Sequence, residues 1–147
     1  MPRQLYQNGY IKPKKCSSLL SLLSHICTAC NFDFEHGIGG WERTGSVFDN
    51  QPTFGDNPTA RNRGEPSKHQ GDWWIGGYEN RPSKAAKAGA FQGDGPIGTL
   101  TSPRFRIIGK KISFLIGGGC NMTVVRAELV VDNMVRIHWI VSSPLWN

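Results

Sequence analysis

Apolar and polar side chains alternate over short stretches of this chain, which is the period of a half-buried β-strand. Residues 31–35, "NFDFE", show the pattern clearly, with an aromatic ring at every second position. Between two later strand patterns, Asp132 and Asn133 supply the two-residue turn that closes a β-hairpin. About seven strands are predicted in this way, at residues 31–35, 41–48, 71–79, 96–109, 110–116, 122–132 and 134–141.

Two polar segments separate these strands. Residues 49–70 contain almost no aliphatic side chain and many Asn, Asp, Pro and Gly, so we predict a long exposed loop there. Residues 80–95 are a second predicted loop. The 18 glycines and nine prolines of the chain fit the same picture, because both residues interrupt helices. The predicted fold is all-β, an antiparallel β-sandwich of the jelly-roll kind.

The tripeptide Ile-Gly-Gly occurs three times, at residues 38–40, 75–77 and 116–118, each beside a strand rich in aromatic residues. We predict that these glycines make room for large rings or permit a positive backbone φ at sheet corners. The third occurrence lies in "SFLIGGGCNMT", which has neither the lysine nor the following helix of a phosphate-binding loop. Its role is therefore predicted to be geometric.

The positive charge of the chain is concentrated at its N-terminus. Of the formal net charge of +6, four charges come from residues 1–30, which hold four basic side chains and no acidic one. The rest of the chain has 13 basic and 11 acidic side chains, a net of +2, and they are interspersed. Nucleic-acid binding is therefore not predicted. Nor is a membrane span, because no apolar run approaches the ~18 residues it needs.

Two interpretations of residues 1–29 stay open. A basic leader, an apolar stretch and small side chains at Cys27 and Ala29 are typical of a secretory signal peptide that is cut after residue 29. Ser24 and His25 interrupt the apolar run, which favours a poorly ordered tail with one amphipathic turn. The remaining residues, 30–147, are predicted to form one domain, and the first interpretation makes it a secreted one.

Removal of the leader would leave two of the four cysteines, Cys30 and Cys120. That arithmetic favours one disulfide between them in an oxidising compartment. Cys27 and Cys30 alone have the spacing of a zinc or redox pair, but no second paired cluster or βαβ pattern accompanies them. Asn121 begins an N-glycosylation sequon with Thr123, which supports an extracellular location.

The candidate binding residues are aromatic and acidic. Trp73, Trp74 and Tyr78 could stack on the face of a sugar ring, although a tryptophan beside glycines is more often part of a core. The histidines share no spacing with a carboxylate or serine, so no catalytic set is predicted. Ca²⁺ is a candidate cofactor, because it binds about six to eight oxygen atoms from loops and strand ends; ordinary Asx turns are the alternative. The candidate ligands are Asp33, Asp49, Asp56 and Asp132.

Seven stretches of residues 30–136 occur in the order seen in a recurring extracellular module. They are "CNFDFE", "GW" with "TGSVF", "QPTFGDNPTAR", "GDWWIGGYE", "GDGPIGTLTSPRF", "ISFLIGGG" and "AELVVDNMVR". In these stretches the chain resembles the accessory module found beside glycoside hydrolase family 32 enzymes of the levanase type. It also resembles related segments of animal matrix and adhesion proteins, and it is distantly similar to MAM domains.

The resemblance implies a MAM-like or lectin-like jelly-roll sandwich without hydrolytic activity, since the catalytic motifs of those enzymes lie in a separate propeller domain. Residues 137–147 depart from the family pattern after Arg136, so the sandwich is expected to be incomplete at its C-terminus and to expose a sheet edge. The predicted function is a non-enzymatic, extracellular binding or adhesion module that contacts glycan or protein in a matrix or at a cell surface. The alternative is an accessory-domain fragment of a secreted glycoside hydrolase.

Overall fold

A computed structural model describes residues 26–27, 32–63, 66–107, 109–110, 112, 114–117, 121 and 123–139. These residues contain eight strands and one short helix, and the predicted all-β class is confirmed. The elements in chain order are β1 (Ile26–Cys27), β2 (Glu42–Gly45), β3 (Thr53–Phe54), α1 (Asn57–Ala60), β4 (Trp73–Trp74), β5 (Gly98–Thr101), β6 (Arg104–Phe105), β7 (Ala127–Val131) and β8 (Met134–Trp139).

The strands pair two by two. β2 and β5 are antiparallel, β3 and β4 are antiparallel with Phe54 opposite Trp73, and β1 and β6 form a short parallel pair. β7 and β8 form the fourth pair. Within the described part of the chain these two-stranded sheets do not join into a larger one. The closed jelly-roll sandwich therefore stays a prediction.

The predicted hairpin between residues 122–132 and 134–141 is confirmed. β7 pairs antiparallel with β8, and the register shifts between Leu129 and Val130. Asp132 and Asn133 have φ values of 52° and 60°. Two successive left-handed residues make the turn whose twist matches the twist of the flanking strands, and Asn and Asp tolerate this conformation.

The strand predicted at residues 31–35 is wrong for residues 32–35, the part that the structure describes. Phe34 has a φ of 63°, far from the value of a strand residue. The Asp33 carboxylate accepts a hydrogen bond from the backbone N of Glu35 at 3.0 Å, and the N of Gly37 donates to the carbonyl of Phe34 at 3.1 Å. These local bonds compete with strand pairing. The described residues of 110–116 likewise contain no strand.

The exposed loop predicted at residues 49–70 is also wrong in part. It contains β3 and α1, and Asp56 caps α1 by accepting from the N of Thr59. Its buried polar residues are Gln51, Thr53, Asn57 and Ser67. These four side chains form internal hydrogen bonds, whereas most other described polar side chains of the segment are exposed as predicted. The loop predicted at residues 80–95 is confirmed, and its one strand-like contact is an isolated bridge between Glu79 and Phe91.

The hydrophobic core of the described residues takes one side chain, Leu100, from the β2–β5 sheet. Three buried side chains, Phe34, Phe48 and Ile75, form its centre. Half-buried residues pack against them, namely Ile38, Trp41, Val47 and Leu100. The left-handed turn at Phe34 therefore places a fully buried ring in the core, which is the residue that the alternating pattern had assigned to a strand.

Two of the three Ile-Gly-Gly repeats show why glycine is required. At Gly76 an added Cβ would lie 2.7 Å from Cη2 of Trp74 and 2.8 Å from Cγ of Glu79, which is closer than real Cβ atoms come. Gly40 has a φ of 83°, in the left-handed region that favours glycine. The repeats thus serve both predicted purposes, room for a ring and a positive φ. The third repeat lies partly outside the described residues.

Candidate functional site

A buried ion pair between Arg61 and Glu79 organises the candidate site. The Glu79 side chain has no exposed surface, and 13% of the Arg61 side chain is exposed. Nη2 of Arg61 donates to Oε1 of Glu79 at 2.6 Å, and Nη1 contacts Oε2. This two-point contact matches the planar guanidinium to the carboxylate. Each charge depends on the other, since an unpaired buried charge is strongly destabilising.

Asn57, at the start of α1, connects this ion pair to the loop at residues 80–95. Its Nδ2 donates to Oε2 of Glu79 at 2.5 Å and to the carbonyl of Ala90 at 2.7 Å. Its Oδ1 accepts from the N of Gly89 at 2.7 Å. A single buried amide therefore fixes the position of residues 89–90 relative to Glu79.

Gln51 fixes residues 76–79, the segment that contains Tyr78 and Glu79. Its Oε1 accepts from the N of Gly76 at 2.8 Å, and its Nε2 donates to the carbonyls of Gly76 at 2.9 Å and of Glu79 at 3.1 Å. Oε1 also accepts from Oγ1 of Thr53 at 3.1 Å. Buried backbone groups outside a sheet need such partners. Gln51 thus holds residues 76–79 in place where strand pairing does not.

The first surface held by this network is the Tyr78–Phe91 face. The two rings are stacked, with centroids 5.2 Å apart and planes inclined by 5°. The guanidinium carbon of Arg61 lies 4.9 Å from the centroid of the Tyr78 ring, a distance at which cation and ring attract. Tyr78 is half-buried and Phe91 is 56% exposed. The face is therefore packed against Arg61 at Tyr78 and open to solvent at Phe91.

A second candidate surface consists of Phe54, Trp73, Arg81 and Lys84, and we call it the Trp73 surface. Phe54 and Trp73 are opposite each other on β3 and β4, and their ring centroids are 5.2 Å apart. The guanidinium carbon of Arg81 lies 5.0 Å from the Phe54 centroid, and Nζ of Lys84 lies 5.1 Å from it. The surface combines two half-buried aromatic rings with two cations.

Two carboxylates border the Trp73 surface. Oε1 of Glu35 accepts from the backbone N of Asp72 at 3.0 Å and of Trp73 at 3.1 Å. This contact ties the turn at residues 32–37 to β4. Oδ2 of Asp72 pairs with Nζ of Lys84 at 3.3 Å, on an exposed part of the surface. The Glu35 carboxylate therefore accepts hydrogen bonds from backbone N–H groups, and the Asp72 carboxylate forms an ion pair with Lys84.

Of the three predicted sugar-stacking residues, the structure places Trp73 and Tyr78 at these surfaces, but not Trp74. Trp74 has no exposed surface, and its Nε1 donates to the carbonyl of Gly55 at 2.8 Å. Successive residues of a strand face opposite sides, so Trp74 points inward where Trp73 does not. The core alternative is correct for Trp74, and only Trp73 and Tyr78 stay candidates for stacking.

His69 lies beside the buried ring of Trp74. Its Nδ1 is 2.5 Å from Oγ of the buried Ser67, and its ring centroid is 6.0 Å from that of Trp74. Burial lowers the pKa of His69, and it outweighs the attraction of the imidazolium to the carboxylates of Asp56, Glu35 and Asp72. The neutral imidazole is therefore the form that the folded chain favours.

We expect the stability of the protein to fall as the pH drops below about 6.5, because the unfolded chain binds a proton at His69 that the folded chain resists. The measurement is the free energy of urea unfolding between pH 7.5 and pH 5. His69→Gln should flatten this part of the profile. His36→Gln, at an exposed histidine, is the matched control and should keep it. An unchanged slope in His69→Gln would contradict the assignment.

The four candidate calcium ligands lie in separate places. Asp33 accepts from the backbone of Glu35, Asp49 pairs with Arg43 at 3.6 Å, and Asp132 lies in the hairpin turn. In the described part of the chain, no three His, Cys, Asp or Glu side chains are grouped as a metal would require. The structure does not bring the four aspartates together.

Asp56, the fourth candidate ligand, has a local structural role. Burial opposes ionisation of its carboxyl group, but hydrogen bonds from Ser67 and Thr59 outweigh that effect and lower its pKa. The N of Ser67 donates to Oδ1 at 3.0 Å and Oγ1 of Thr59 donates to Oδ2 at 2.7 Å. Because this pKa is depressed, the stabilisation from Asp56 is present above about pH 4 and is lost below it.

Asn121 is exposed, as an acceptor of N-linked glycan must be. Its Oδ1 accepts from the backbone N of Thr123 at 3.2 Å and from Oγ1 of Thr123 at 2.6 Å. Cys30 and Cys120 lie outside the residues that the structure describes, so their disulfide stays a prediction.

Several residues of the site carried no signal in the sequence. Glu79 is a single acidic residue at the end of a strand pattern, and Arg61 is one of several arginines in a polar segment. One local signal did exist, since Asp56 followed by Asn57 and Pro58 is typical of a capped helix start. The residues of the site that sequence analysis missed are Gln51, Phe54, Asn57, Arg61, Glu79, Arg81, Lys84 and Phe91.

The chain matches no protein-family model, no curated protein and no solved structure. Among the described residues the only helix is the four-residue α1, and none is long and apolar enough to cross a membrane.

Proposed function

We propose that this chain is a non-enzymatic, extracellular binding module with an antiparallel β-sandwich fold and that its ligand is carbohydrate. The observation that carries the proposal is the pair of solvent-facing aromatic surfaces held on rigid backbone. Trp73 presents its ring beside Phe54, and Phe91 presents its ring stacked on Tyr78. Aromatic side chains bury large apolar areas with little loss of rotamer freedom, which suits them to the apolar face of a sugar ring.

The hydrogen bonds that hold the backbone of both surfaces support binding more strongly than their composition does. Asn57 holds the backbone of residues 89–90 next to Phe91, Gln51 holds residues 76–79, and Glu35 holds the backbone of Trp73. A surface that is already fixed loses less freedom when a ligand binds. The network therefore preorganises rings that would otherwise lie on irregular loops.

The extracellular setting rests on the sequence. The resemblance to the accessory module of glycoside hydrolase family 32 and to matrix and adhesion segments supports it. So do the apolar leader, the pairing proposed for Cys30 and Cys120, and the sequon at Asn121. Mass spectrometry of the secreted protein would test the signal cut, the disulfide and the glycan together.

The binding function is tested with the full chain on a panel of immobilised neutral and acidic polysaccharides. Trp73→Ala and Tyr78→Ala are each expected to weaken binding about tenfold, a loss of about 1.4 kcal/mol that is typical of one aromatic contact. Val124→Ala, at an apolar side chain that is 70% exposed, is the matched control and should bind like the original chain. Thermal unfolding would show that each variant folds. The proposal fails if no polysaccharide binds.

A second candidate function is that of an accessory domain packed against the catalytic domain of a glycoside hydrolase. The observation that favours it is a set of exposed apolar side chains on the β7–β8 hairpin, since such patches mark contact surfaces. They are Val130, Met134, Val135 and Ile137. Transcript sequencing would test it, because the hypothesis requires an in-frame segment that encodes a propeller domain.

A further inference from the structure

We infer that the carbohydrate bound at the Trp73 surface is acidic and that Arg81 binds its carboxylate. The inference rests on the proposed carbohydrate binding and adds the chemical class of the ligand. Its starting point is the pair of cations that the surface places over one ring. Arg81 lies 5.0 Å and Lys84 5.1 Å from the centroid of Phe54.

Arg81 differs from Arg61 in one decisive respect. Both guanidinium groups lie over an aromatic ring, but Arg61 is bound at two points by the carboxylate of Glu79. Among the described residues, Arg81 has no carboxylate partner, and its Nε is buried without a hydrogen-bond acceptor. Buried donors in folded proteins nearly always have an acceptor. Because Nε is closed to solvent, a ligand would have to bind at the terminal Nη1 and Nη2 atoms of Arg81, which have no hydrogen-bond partner among the described residues.

The backbone fixes Arg81 beside the stacking ring. The N of Phe54 donates to the carbonyl of Arg81 at 2.9 Å, and on its other side Phe54 is opposite Trp73. The Trp73 ring and the Arg81 guanidinium each lie about 5 Å from the Phe54 ring, so they are at most about 10 Å apart. Two linked sugar units can cover that distance, with one ring on Trp73 and an acidic substituent at Arg81.

The formal charges of the surface and its border sum to zero, and what favours an anion is the placement of the cation of Arg81. Arg81 and Lys84 contribute two positive charges, and Asp72 neutralises one of them through its contact with Lys84. Glu35 accepts hydrogen bonds from the backbone behind Trp73. A carboxylate is preferred over other anions because its two oxygens match the planar fork of a guanidinium. Uronic acid residues carry such a group on a sugar ring.

The experiment compares polygalacturonate with its fully methyl-esterified form, which has the same backbone without the charge. Hyaluronan is a second carboxylate probe, and dextran sulfate with neutral dextran tests sulfate. We expect the full chain to bind at least one carboxylate polymer about tenfold more tightly than the neutral polymers. Binding should weaken when NaCl is raised from about 50 to 500 mM, because salt screens partly exposed charges. Preference for dextran sulfate alone would overturn the carboxylate assignment.

Three variants locate the effect. Arg81→Gln should reduce binding of the carboxylate polymer about tenfold. The thermal unfolding midpoint of the variant should be nearly the same as that of the original chain. Asp72→Asn should strengthen binding about twofold to threefold, because it frees Lys84. Arg104→Gln, at an exposed arginine outside the Trp73 surface, is the control and should have no effect.

The outcomes separate the inference from the function on which it rests. If no polymer binds, the proposed carbohydrate function fails. If neutral and acidic polymers bind equally, or Arg81→Gln binds like the original chain, the function stands and the acidic inference is overturned.

Discussion

Replacing Glu79 by alanine is expected to lower the free energy of unfolding by about 3–5 kcal/mol. The carboxylate is completely buried and binds Arg61 at two points, so its removal leaves a mostly buried guanidinium without a counter-charge. It also removes the acceptor for Nδ2 of Asn57. The measurement is urea unfolding followed by far-UV circular dichroism. If Glu79→Ala does not fold, Glu79→Gln keeps the shape and is expected to lose less.

Two controls separate burial from the loss of a salt bridge as such. Glu128 pairs with Arg126 on the surface, and exposed pairs contribute only about 0–1 kcal/mol. Glu128→Ala should therefore cost far less than Glu79→Ala. In the double variant Arg61→Leu with Glu79→Leu, both charges are absent, so much of the lost stability should return. Equal losses for Glu79→Ala and Glu128→Ala would contradict the central role of the buried pair.

Loss of the ion pair should also disturb the Tyr78–Phe91 face. Asn57 bonds to Glu79 and to the backbone of Gly89 and Ala90, so the position of Phe91 depends on the same ion pair. Arg61 in turn lies over the Tyr78 ring. Ion pair, amide and stacked rings are neighbours in one network, so their contributions to stability are not additive. Glu79→Gln should therefore weaken carbohydrate binding at Tyr78, even though the buried side chain of residue 79 does not contact the ligand.

The parts of the fold that sequence analysis predicted correctly are encoded locally. Asp132 and Asn133 tolerate the left-handed conformation that closes a hairpin, and the strands beside them need no distant partner. The second Ile-Gly-Gly repeat is similar, since Gly76 makes room for Trp74 only two residues away. Short-range signals of this kind can be read from one sequence.

The buried network could not be predicted in the same way. Gln51, Asn57 and Glu79 are polar residues whose burial depends on partners 18 to 33 residues away. Composition assigns such residues to exposed loops, and here it gave the wrong result for Gln51 and Asn57 within residues 49–70. At Phe34 a local bond between Asp33 and Glu35 overrode the alternating pattern, because a short polar side chain can compete with strand pairing.

The sequence does not show which of the adjacent Trp73 and Trp74 is buried. The second large effect on stability is expected at the buried one. Trp74→Ala is expected to lower the free energy of unfolding by about 3–5 kcal/mol, because it removes a fully buried ring and leaves a cavity. It also leaves the carbonyl of Gly55 without the Nε1 donor. Trp73→Ala, one residue away and half-buried, should cost much less stability but should weaken carbohydrate binding.

Chemical denaturation and a polysaccharide affinity gel, applied to both variants, measure the two effects separately. The two variants have the same residue type, strand and substitution, so any difference between them comes from the side of the strand on which the ring lies. Trp74→Phe adds a test of the hydrogen bond, because it keeps an aromatic ring but has no donor for the Gly55 carbonyl. If Trp73→Ala were as destabilising as Trp74→Ala, the ring of Trp73 would belong to the core, and the binding surface proposed around it would have to be abandoned.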